Sequence, residues 1–258
     1  YNGKIGVVQS LEYKYPFDEN NLDDIQAAKN EDVLQNQFLL DATFKGYYST
    51  ETMEVVNRLV SINNGTLELL DEDFDVLKQA ALLNDYMGMN YYQSRFIQYY
   101  EGENDIHHNG TGEKGTSRFC LKNVGRRMEK EGIPRTDWLI HPESMFDMLV
   151  RIRQQYPNYK AIYITENGMG YKDDFEDGII DDEPRIDFIR RHLEFTLKAI
   201  EAGVNVKGYF VWSLMDMFSW TNGYNKRYGL FYVDYETQKR YPKASAYWYK
   251  RVSETKEV

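Results

Sequence analysis

The chain has 258 residues, of which 42% are hydrophobic and 28% charged, so it can bury a sizeable core and is not expected to be disordered. Its formal net charge of −10 argues against nucleic acids and anionic membranes as partners, and no apolar run approaches the length of a membrane span. A single cysteine, Cys120, excludes a disulfide framework and, together with the lack of a visible signal peptide, favours the cytoplasm.

Strand-like and helix-like segments alternate along the chain. Short runs of β-branched and aromatic residues predict strands, and apolar residues at helical spacing predict helices. The predicted strands cover residues 4–10, 86–92, 160–166 and 206–212. The predicted helices cover residues 21–44, 52–60, 71–83, 141–156, 184–203 and 244–252. We further predict a β-hairpin over residues 229–241, a long irregular loop over residues 93–134 and a solvated acidic loop over residues 173–183.

This order of elements predicts an α/β fold in which parallel strands are joined by right-handed crossovers. A length of 258 residues would suit a whole (β/α)8 barrel, or TIM barrel, yet only four core strands can be identified. Four strands make half of such a barrel. We therefore expect residues 1–258 to form a single α/β unit that corresponds to half a barrel.

Two stretches resemble ligand-binding motifs without meeting their requirements. His107 and His108 are adjacent, so they cannot present a shared face to a metal, which favours a solvated loop. Residues 109–117 (NGTGEKGTS) lack the Gly-Lys-Ser/Thr ending of a phosphate loop and open no apolar helix. The sequence therefore predicts neither a metal site nor a cofactor.

Polar side chains follow three of the four predicted strands. A carboxylate at the end of a buried strand, such as Glu166, is poorly placed for stability because desolvation disfavours its charged form. Glu166 could equally cap the next element or form a surface ion pair. In a barrel, however, the carboxyl ends of the strands meet on one face. The residues that would meet there are Asn90, Tyr92, Glu166, Asn167, Trp212, Ser213 and Asp216.

The chemistry of these residues suits the cleavage of a glycosidic bond. A glutamate can attack an anomeric carbon, a tyrosine hydroxyl can orient that glutamate, and an indole can carry the apolar face of a sugar. Residues 164–168 (ITENG), preceded by residues 87–92 (MGMNYY) and followed by residues 211–216 (VWSLMD), resemble glycoside hydrolase family 1. This resemblance extends from Tyr1 to the C-terminus and implies a (β/α)8 barrel.

The resemblance also implies a role for each residue of the site. Glu166 would be the nucleophile of a retaining mechanism, and Tyr92 would hydrogen-bond to it. Trp212 would lie under the reacting sugar, with Asn90 near the sugar hydroxyls. No cofactor is implied.

A second stretch narrows the substrate. Where ordinary members of the family have a glutamate, this chain has Ser219, which removes a charge that would repel a phosphate. Lys226 and Tyr228 follow as a point charge and a phenol donor. Together these three residues resemble the phosphate pocket of members that cleave sugar 6-phosphates. The alternative, a basic hairpin on an acidic protein, does not account for the serine. Trp220 resembles the members that act on 6-phospho-β-galactosides, whereas those that act on 6-phospho-β-glucosides typically have alanine there.

The expected substrate is therefore a phosphorylated disaccharide such as lactose 6-phosphate, cleaved to galactose 6-phosphate and an alcohol or sugar. A 6-phospho-β-glucoside is the alternative. Two other classes stay open at this stage. One is a sugar-binding module without catalysis, and the other is a cation-dependent aldolase or isomerase with Glu166 as its base.

One departure from the family pattern is serious. A retaining mechanism needs a second carboxylate as acid and base, which the family carries in an Asn-Glu motif on strand four. The only such pair here is Asn30-Glu31, which lies in a helical run and follows no strand. The chain therefore resembles strands five to eight, the C-terminal half of the barrel. We expect it to be inactive or weakly active alone, and to associate with itself or with an N-terminal half through its unpaired strand edges.

Overall fold

The computed structural model describes residues 2–107, 118–135, 139–175, 178 and 180–258. The strands in this part of the chain are β1 (Gly6–Leu11), β2 (Lys14–Pro16), β3 (Tyr86–Tyr91), β4 (Arg95–Gln98), β5 (Asp105–His107), β6 (Arg118–Leu121), β7 (Gly125–Met128), β8 (Ile162–Asn167), β9 (Val206–Val211), β10 (Phe231–Val233) and β11 (Arg240–Pro242). The α-helices are α1 (Leu22–Asp32), α2 (Phe38–Leu40), α3 (Thr50–Ile62), α4 (Asp71–Leu83), α5 (Glu143–Gln155), α6 (Glu183–Glu201) and α7 (Ala244–Thr255).

A parallel sheet in the order β1-β3-β8-β9 forms the centre of the fold. All three strand pairs in it are parallel, and helices lie between the successive strands along the chain. Each of the four predicted core strands is present, with bounds that differ from the prediction by at most two residues. The predicted α/β arrangement of parallel strands is therefore confirmed.

The main apolar core lies between this sheet and α5. Met89 of β3 and Ile164 of β8 are fully buried, and they belong to one cluster with Met145 and Leu149 of α5. Burying a side chain of this size stabilises the fold by roughly 1.5–3 kcal/mol. This packing fixes the two strands whose carboxyl ends lead to Tyr92 and Glu166.

A second sheet, in the order β2-β4-β7-β6-β5, follows the end of β3. The prediction of a long irregular loop over residues 93–134 is wrong for the described part of that range. Its strands are only three or four residues long and are separated by turns, so they are too short to display an alternating pattern. Residues 108–117, which include His108 and the stretch that resembles a phosphate loop, lie outside the described residues.

The predicted helix over residues 21–44 is divided in the structure. Asn21 caps α1 by accepting a hydrogen bond from the backbone N–H of Asp23 at 2.9 Å. Two π-helical turns, Val33–Gln37 and Asp41–Lys45, then flank α2. Helical spacing of apolar residues does not distinguish α-helical from π-helical hydrogen bonding, so the sequence pattern could not reveal these turns.

The two outer strands of the parallel sheet, β1 and β9, each pair with one strand of that sheet within the described part of the chain. Apolar side chains along or beside them are exposed, namely Ile5, Val7, Val8 and Phe210. An unpaired edge with apolar side chains can pair with another polypeptide.

Candidate active site

Glu166 reaches its position because β8 is irregular near its carboxyl end. Ile162 and Ile164 are buried, and strict alternation would place Glu166 on the same side of the strand. On the β3 side, Met89 pairs with Ile164 but Asn90 pairs with Glu166, so β8 contains one extra residue. This bulge places Asn167 in the buried position and turns Glu166 toward a cleft.

Asn167 holds this arrangement by joining three strands. Its amide group donates a hydrogen bond to the carbonyl of Tyr91 at 2.7 Å and accepts one from the hydroxyl of Tyr209. The backbone carbonyl of Asn167 also accepts a hydrogen bond from the backbone N–H of Trp212 at 2.9 Å. Since Asn167 is fully buried, these bonds fix the backbone next to Glu166.

Tyr92 is the direct partner of Glu166. Its hydroxyl donates a short hydrogen bond to Oε2 of that carboxylate. Burial, followed by the carboxylate itself, holds the pKa of Tyr92 well above its usual range. The phenol therefore keeps its proton and stays a donor to the carboxylate.

Two aromatic rings continue the wall from this pair. The ring centroids of Tyr92 and Trp212 lie 6.1 Å apart, and those of Trp212 and Tyr228 lie 5.0 Å apart, both edge to face. The cleft has a volume of about 310 Å³. Its described lining consists of Tyr92, Glu166, Trp212, Met217, Ser219, Trp220, Thr221 and Tyr228. Among these lining residues Glu166 is the only carboxylate.

The segment between β9 and β10 forms the other wall. Ser219 is buried, and its hydroxyl accepts the backbone N–H of Asn222 at 3.3 Å. The amide of Asn222 in turn donates to the hydroxyl of the buried Tyr228. Trp220 is 96% exposed and lies at the rim of the cleft. Hydroxyl groups, rather than a carboxylate, thus stand where a phosphate is expected to bind.

The structure brings six of the eight predicted site residues to one cleft, and the other two are not among its described lining residues. Asn90 accepts a hydrogen bond from the hydroxyl of Thr165 at 2.7 Å and does not line the cleft. Lys226 is also buried outside the lining, and burial lowers its pKa. A buried ammonium of this kind needs an anion or hydrogen-bond acceptors nearby to keep its charge.

Asp216, which the sequence places at a strand end near the site, has a structural role. Its side chain is fully buried and accepts a hydrogen bond from the backbone N–H of Gly229 at 2.9 Å. It also forms ion pairs with Arg227 at 3.1 Å and Lys243 at 2.8 Å. These contacts anchor both ends of the segment that carries Ser219. Lys243 is 27 residues away along the chain, so no local pattern predicts this pairing.

The prediction of a solvated acidic loop over residues 173–183 is wrong for its two ends. The side chains of Asp173 and Asp182 are fully buried, and both pair with the buried Arg185. Asp173 also pairs with Lys243. Burial raises the pKa of Asp173, which the two cations oppose. The acidic run therefore contributes to the buried ionic network below the cleft, in which Arg185 pairs with both carboxylates and Lys243 reaches Asp173 from 70 residues away.

Neither a candidate metal cluster nor a membrane-spanning helix occurs in the described residues. No cluster of three or more His, Cys, Asp or Glu side chains there could hold a metal ion. None of the helices in that part of the chain combines the length and the apolarity that a membrane crossing requires.

Comparisons with known proteins agree with this geometry. The chain is 59% identical to a 6-phospho-β-galactosidase of Leptotrichia buccalis, an alignment that covers 100% of this chain and 56% of the relative. It superimposes on a β-glucosidase of Exiguobacterium antarcticum with a TM-score of 0.83 and 30% identity, over 99% of this chain and 52% of the other. A family 1 β-glucosidase of Thermotoga maritima gives a TM-score of 0.81 and 32% identity, over 100% of this chain and 52% of the other.

The chain thus spans about half the length of the relatives that it matches. Those structural neighbours are (β/α)8 barrels, so about half of such a barrel is covered. The family model for glycosyl hydrolase family 1 matches residues 1–258. The chain therefore belongs to glycosyl hydrolase family 1.

Proposed function

We propose that this chain carries the nucleophile and the phosphate pocket of a retaining 6-phospho-β-galactosidase, and that it corresponds to strands five to eight of the barrel. The observation that carries the proposal is the Tyr92–Glu166 hydrogen bond inside a cleft walled by Trp212 and Tyr228. The name of the relative at 59% identity supports a galactoside rather than a glucoside. We place the reaction in the cytoplasm, in agreement with the single cysteine of the chain.

Glu166 would perform the first chemical step. Its carboxylate attacks the anomeric carbon, a carbon–oxygen bond to the enzyme forms, and the glycosidic bond to the leaving group breaks. Tyr92 holds the attacking oxygen in place by donating a hydrogen bond to it. Trp212 offers its ring to the apolar face of the sugar. Water would then release galactose 6-phosphate from Glu166.

The phosphate group would bind beside Ser219. A glutamate at this position would repel a phosphate dianion, whereas the Ser219 hydroxyl can donate a hydrogen bond to it. Tyr228 offers a second hydroxyl, held by Asn222. Lys226 is buried nearby in sequence, and its ammonium would supply the positive charge that a phosphate dianion requires.

The second carboxylate of a retaining site would come from another polypeptide segment. Two carboxyl groups about 5–5.5 Å apart are needed, and Glu166 is alone among the described lining residues. Glu31 lies in α1, as expected from the sequence, and pairs with Lys14 at 3.3 Å and Arg127 at 3.2 Å. We therefore expect slow turnover by this chain alone, and closure of the barrel by an N-terminal half or by a second copy at the edges β1 and β9.

The lone carboxylate also favours one alternative, a phosphosugar-binding module without catalysis. Covalent trapping separates the two. The probe is a 2-deoxy-2-fluoro-6-phospho-β-galactoside with 2,4-dinitrophenolate as its leaving group, which departs without an acid catalyst. We expect the mass of the chain to increase by one fluorosugar phosphate, with the label on Glu166 and none on Glu166→Gln. The matching glucoside tests the choice of sugar.

A second measurement addresses the missing acid and base. Azide attacks a glycosyl–enzyme without a general base, so it should release a glycosyl azide from a chain that lacks one. Binding of the probe without labelling of Glu166 would favour the non-catalytic module. Hydrolysis of o-nitrophenyl galactoside 6-phosphate as fast as by an intact homologue would refute the half-site proposal. Sedimentation of a well-folded monomer at all concentrations would refute the proposed association.

A further inference from the structure

A small cavity lined by three arginines lies close to the cleft. Its walls are Arg95, Arg127 and Arg135, with Met128 and Leu139, and its volume is about 30 Å³. That is roughly two to three times the space that one water molecule needs. Arg95 follows Tyr92 by three residues, so the Cα atoms of the two are at most about 11 Å apart.

Neighbouring strands of the second sheet position two of these arginines. Arg95 opens β4 and Arg127 belongs to β7, and these strands pair antiparallel. Glu12, directly after β1, lies between the two side chains. It accepts from Nε of Arg95 at 3.3 Å and from Nη2 of Arg127 at 3.3 Å. Two of the three arginines are therefore held in place by paired strands.

Positive charge exceeds negative charge in this cluster. Lys14 binds Glu12 at 2.8 Å and Glu31 at 3.3 Å, and Arg127 also binds Glu31 at 3.2 Å. Among these five described side chains, three cations thus share two carboxylates. All five side chains are at most 18% exposed. Burial opposes the ionisation of Glu12, but Arg95, Lys14 and Arg127 outweigh it and hold the pKa of Glu12 well below its usual range.

Several N–H groups around the cavity are left without acceptors among the described residues. A guanidinium has five N–H donors. Arg95 uses its Nε on Glu12, while neither of its terminal amino groups has a hydrogen bond there. Arg127 uses Nε and Nη2 but not Nη1. Burial lowers the pKa of Arg95, and the charges of Arg127 and Arg135 add to that effect while Glu12 opposes it.

We infer that this cavity binds one small oxyanion group, held by the terminal amino groups of Arg95 and by Nη1 of Arg127. Guanidinium groups match the geometry of phosphate and carboxylate oxygens, and an anion would balance the excess charge. Such a group could be a free inorganic oxyanion or an acidic substituent on the leaving-group side of the substrate. The free oxyanion does not depend on the proposed function, whereas the substituent on the leaving group rests on it.

The test is calorimetric titration of the 258-residue chain with inorganic phosphate at constant ionic strength. We expect Arg95→Gln to weaken binding at this cavity at least tenfold. The matched control is Arg126→Gln, which removes the same charge from β7 at an exposed side chain bound to Gln98, and it should bind as the wild type does. Because Arg95→Gln leaves Glu12 with one partner fewer, Arg135→Gln serves as a second variant. Arg135 pairs with Glu129, whose side chain is 74% exposed.

Lys226→Gln separates this inference from the proposed phosphate pocket. If only Lys226→Gln weakens phosphate binding, the proposed function is supported and the arginine site is refuted. If only the two arginine variants do, the arginine site stands and the phosphate pocket fails. Binding of phosphate that none of the three changes would overturn the inference, and so would a complete lack of binding in both titrations.

A second titration distinguishes the two sources of the oxyanion. It compares phenyl and 4-carboxyphenyl 6-phospho-β-galactosides. If the carboxylate tightens binding at least tenfold and Arg95→Gln abolishes that gain, the cavity binds the acidic substituent of the leaving group. If phosphate binds at the cavity and the added carboxylate gains nothing, the source is a free oxyanion. If neither ligand depends on Arg95 and Arg135, the cavity holds water only and the inference is wrong.

Discussion

The buried carboxylate of Asp216 offers a sharp test of how the cleft wall is held. It accepts backbone hydrogen bonds from Gly229 at 2.9 Å and Val233 at 3.3 Å, in addition to its ion pairs with Arg227 and Lys243. Asp216→Asn keeps the shape of the side chain but replaces one acceptor oxygen by an amino group. The two donors that bound the replaced oxygen would then face an amino group, which is itself a donor. Lys243, whose side chain is fully buried, would keep only one of its two carboxylate partners.

The expected cost is large. Removing one partner of a buried ion pair typically destabilises a protein by about 3–5 kcal/mol, because the remaining charge stays buried. Total stabilities are on the order of 5–15 kcal/mol, so this change would remove a substantial part of the free energy of unfolding. Asp187→Asn provides the matched control. Asp187 pairs with Arg190 at the surface, with side chains 44% and 39% exposed, and such pairs contribute about 0–1 kcal/mol.

Urea unfolding at pH 7, followed by circular dichroism, measures both free energies. We expect Asp216→Asn to lose at least about 3 kcal/mol and Asp187→Asn to lose less than about 1 kcal/mol. Equal losses in the two variants would refute the role of the ionic network below the cleft. If the network positions Ser219, binding of galactose 6-phosphate should also weaken at urea concentrations where Asp216→Asn is still folded.

Three further predictions follow from single side chains. Burial lowers the pKa of His192 from 6.5 to about 4, so the folded chain holds this side chain neutral. The contribution of neutral His192 to stability is therefore complete above pH 6.5 and is lost as the pH falls to about 4. That difference corresponds to about 3 kcal/mol, and His192→Asn should flatten the pH dependence of the unfolding free energy over this range; an unchanged slope would contradict it. Tyr92→Phe should slow fluorosugar trapping at least about tenfold, since a hydrogen bond to a charged group is worth about 1.5–3 kcal/mol. A trapping rate equal to that of the wild type would show that Tyr92 does not orient Glu166. Ser219→Glu should weaken galactose 6-phosphate binding at least about a hundredfold in calorimetry, because two like charges at about 4 Å repel by about 4 kcal/mol near a protein surface. The binding of galactose itself should not weaken. An equal loss of affinity for both sugars would argue against a phosphate next to Ser219.

The sequence predicts the parallel sheet well because its strands are buried and long enough to show a clear pattern. The runs around Met87 and Ile162 contain few charges and end at polar residues, which is how strands of an α/β sheet end at a functional face. The meeting of Tyr92, Glu166 and Trp212 then follows from the topology, since parallel strands place their carboxyl ends together. The bulge that turns Glu166 into the cleft has no such signal, because it depends on pairing with the neighbouring strands.

Tertiary contacts explain what the sequence does not predict. The strands of the second sheet are too short for an alternating pattern, and their positions depend on contacts such as those between Glu12 and Arg127, which are 115 residues apart. The high density of acidic residues around Asp173 and Asp182 predicts that both side chains are solvated. They are buried because Arg185 and Lys243 reach them in the folded chain. Local charge density does not reveal a distant counter-charge.

The three-strand junction at Asn167 has a consequence for how such enzymes can be divided and recombined. The Asn167 side chain makes its hydrogen bonds in the described structure to Tyr91 and Tyr209 of this chain. Glu166, the proposed nucleophile, is thus held in position by residues of this chain. Different first halves, each with its own acid residue and sugar contacts, could therefore be joined to this chain without moving Glu166.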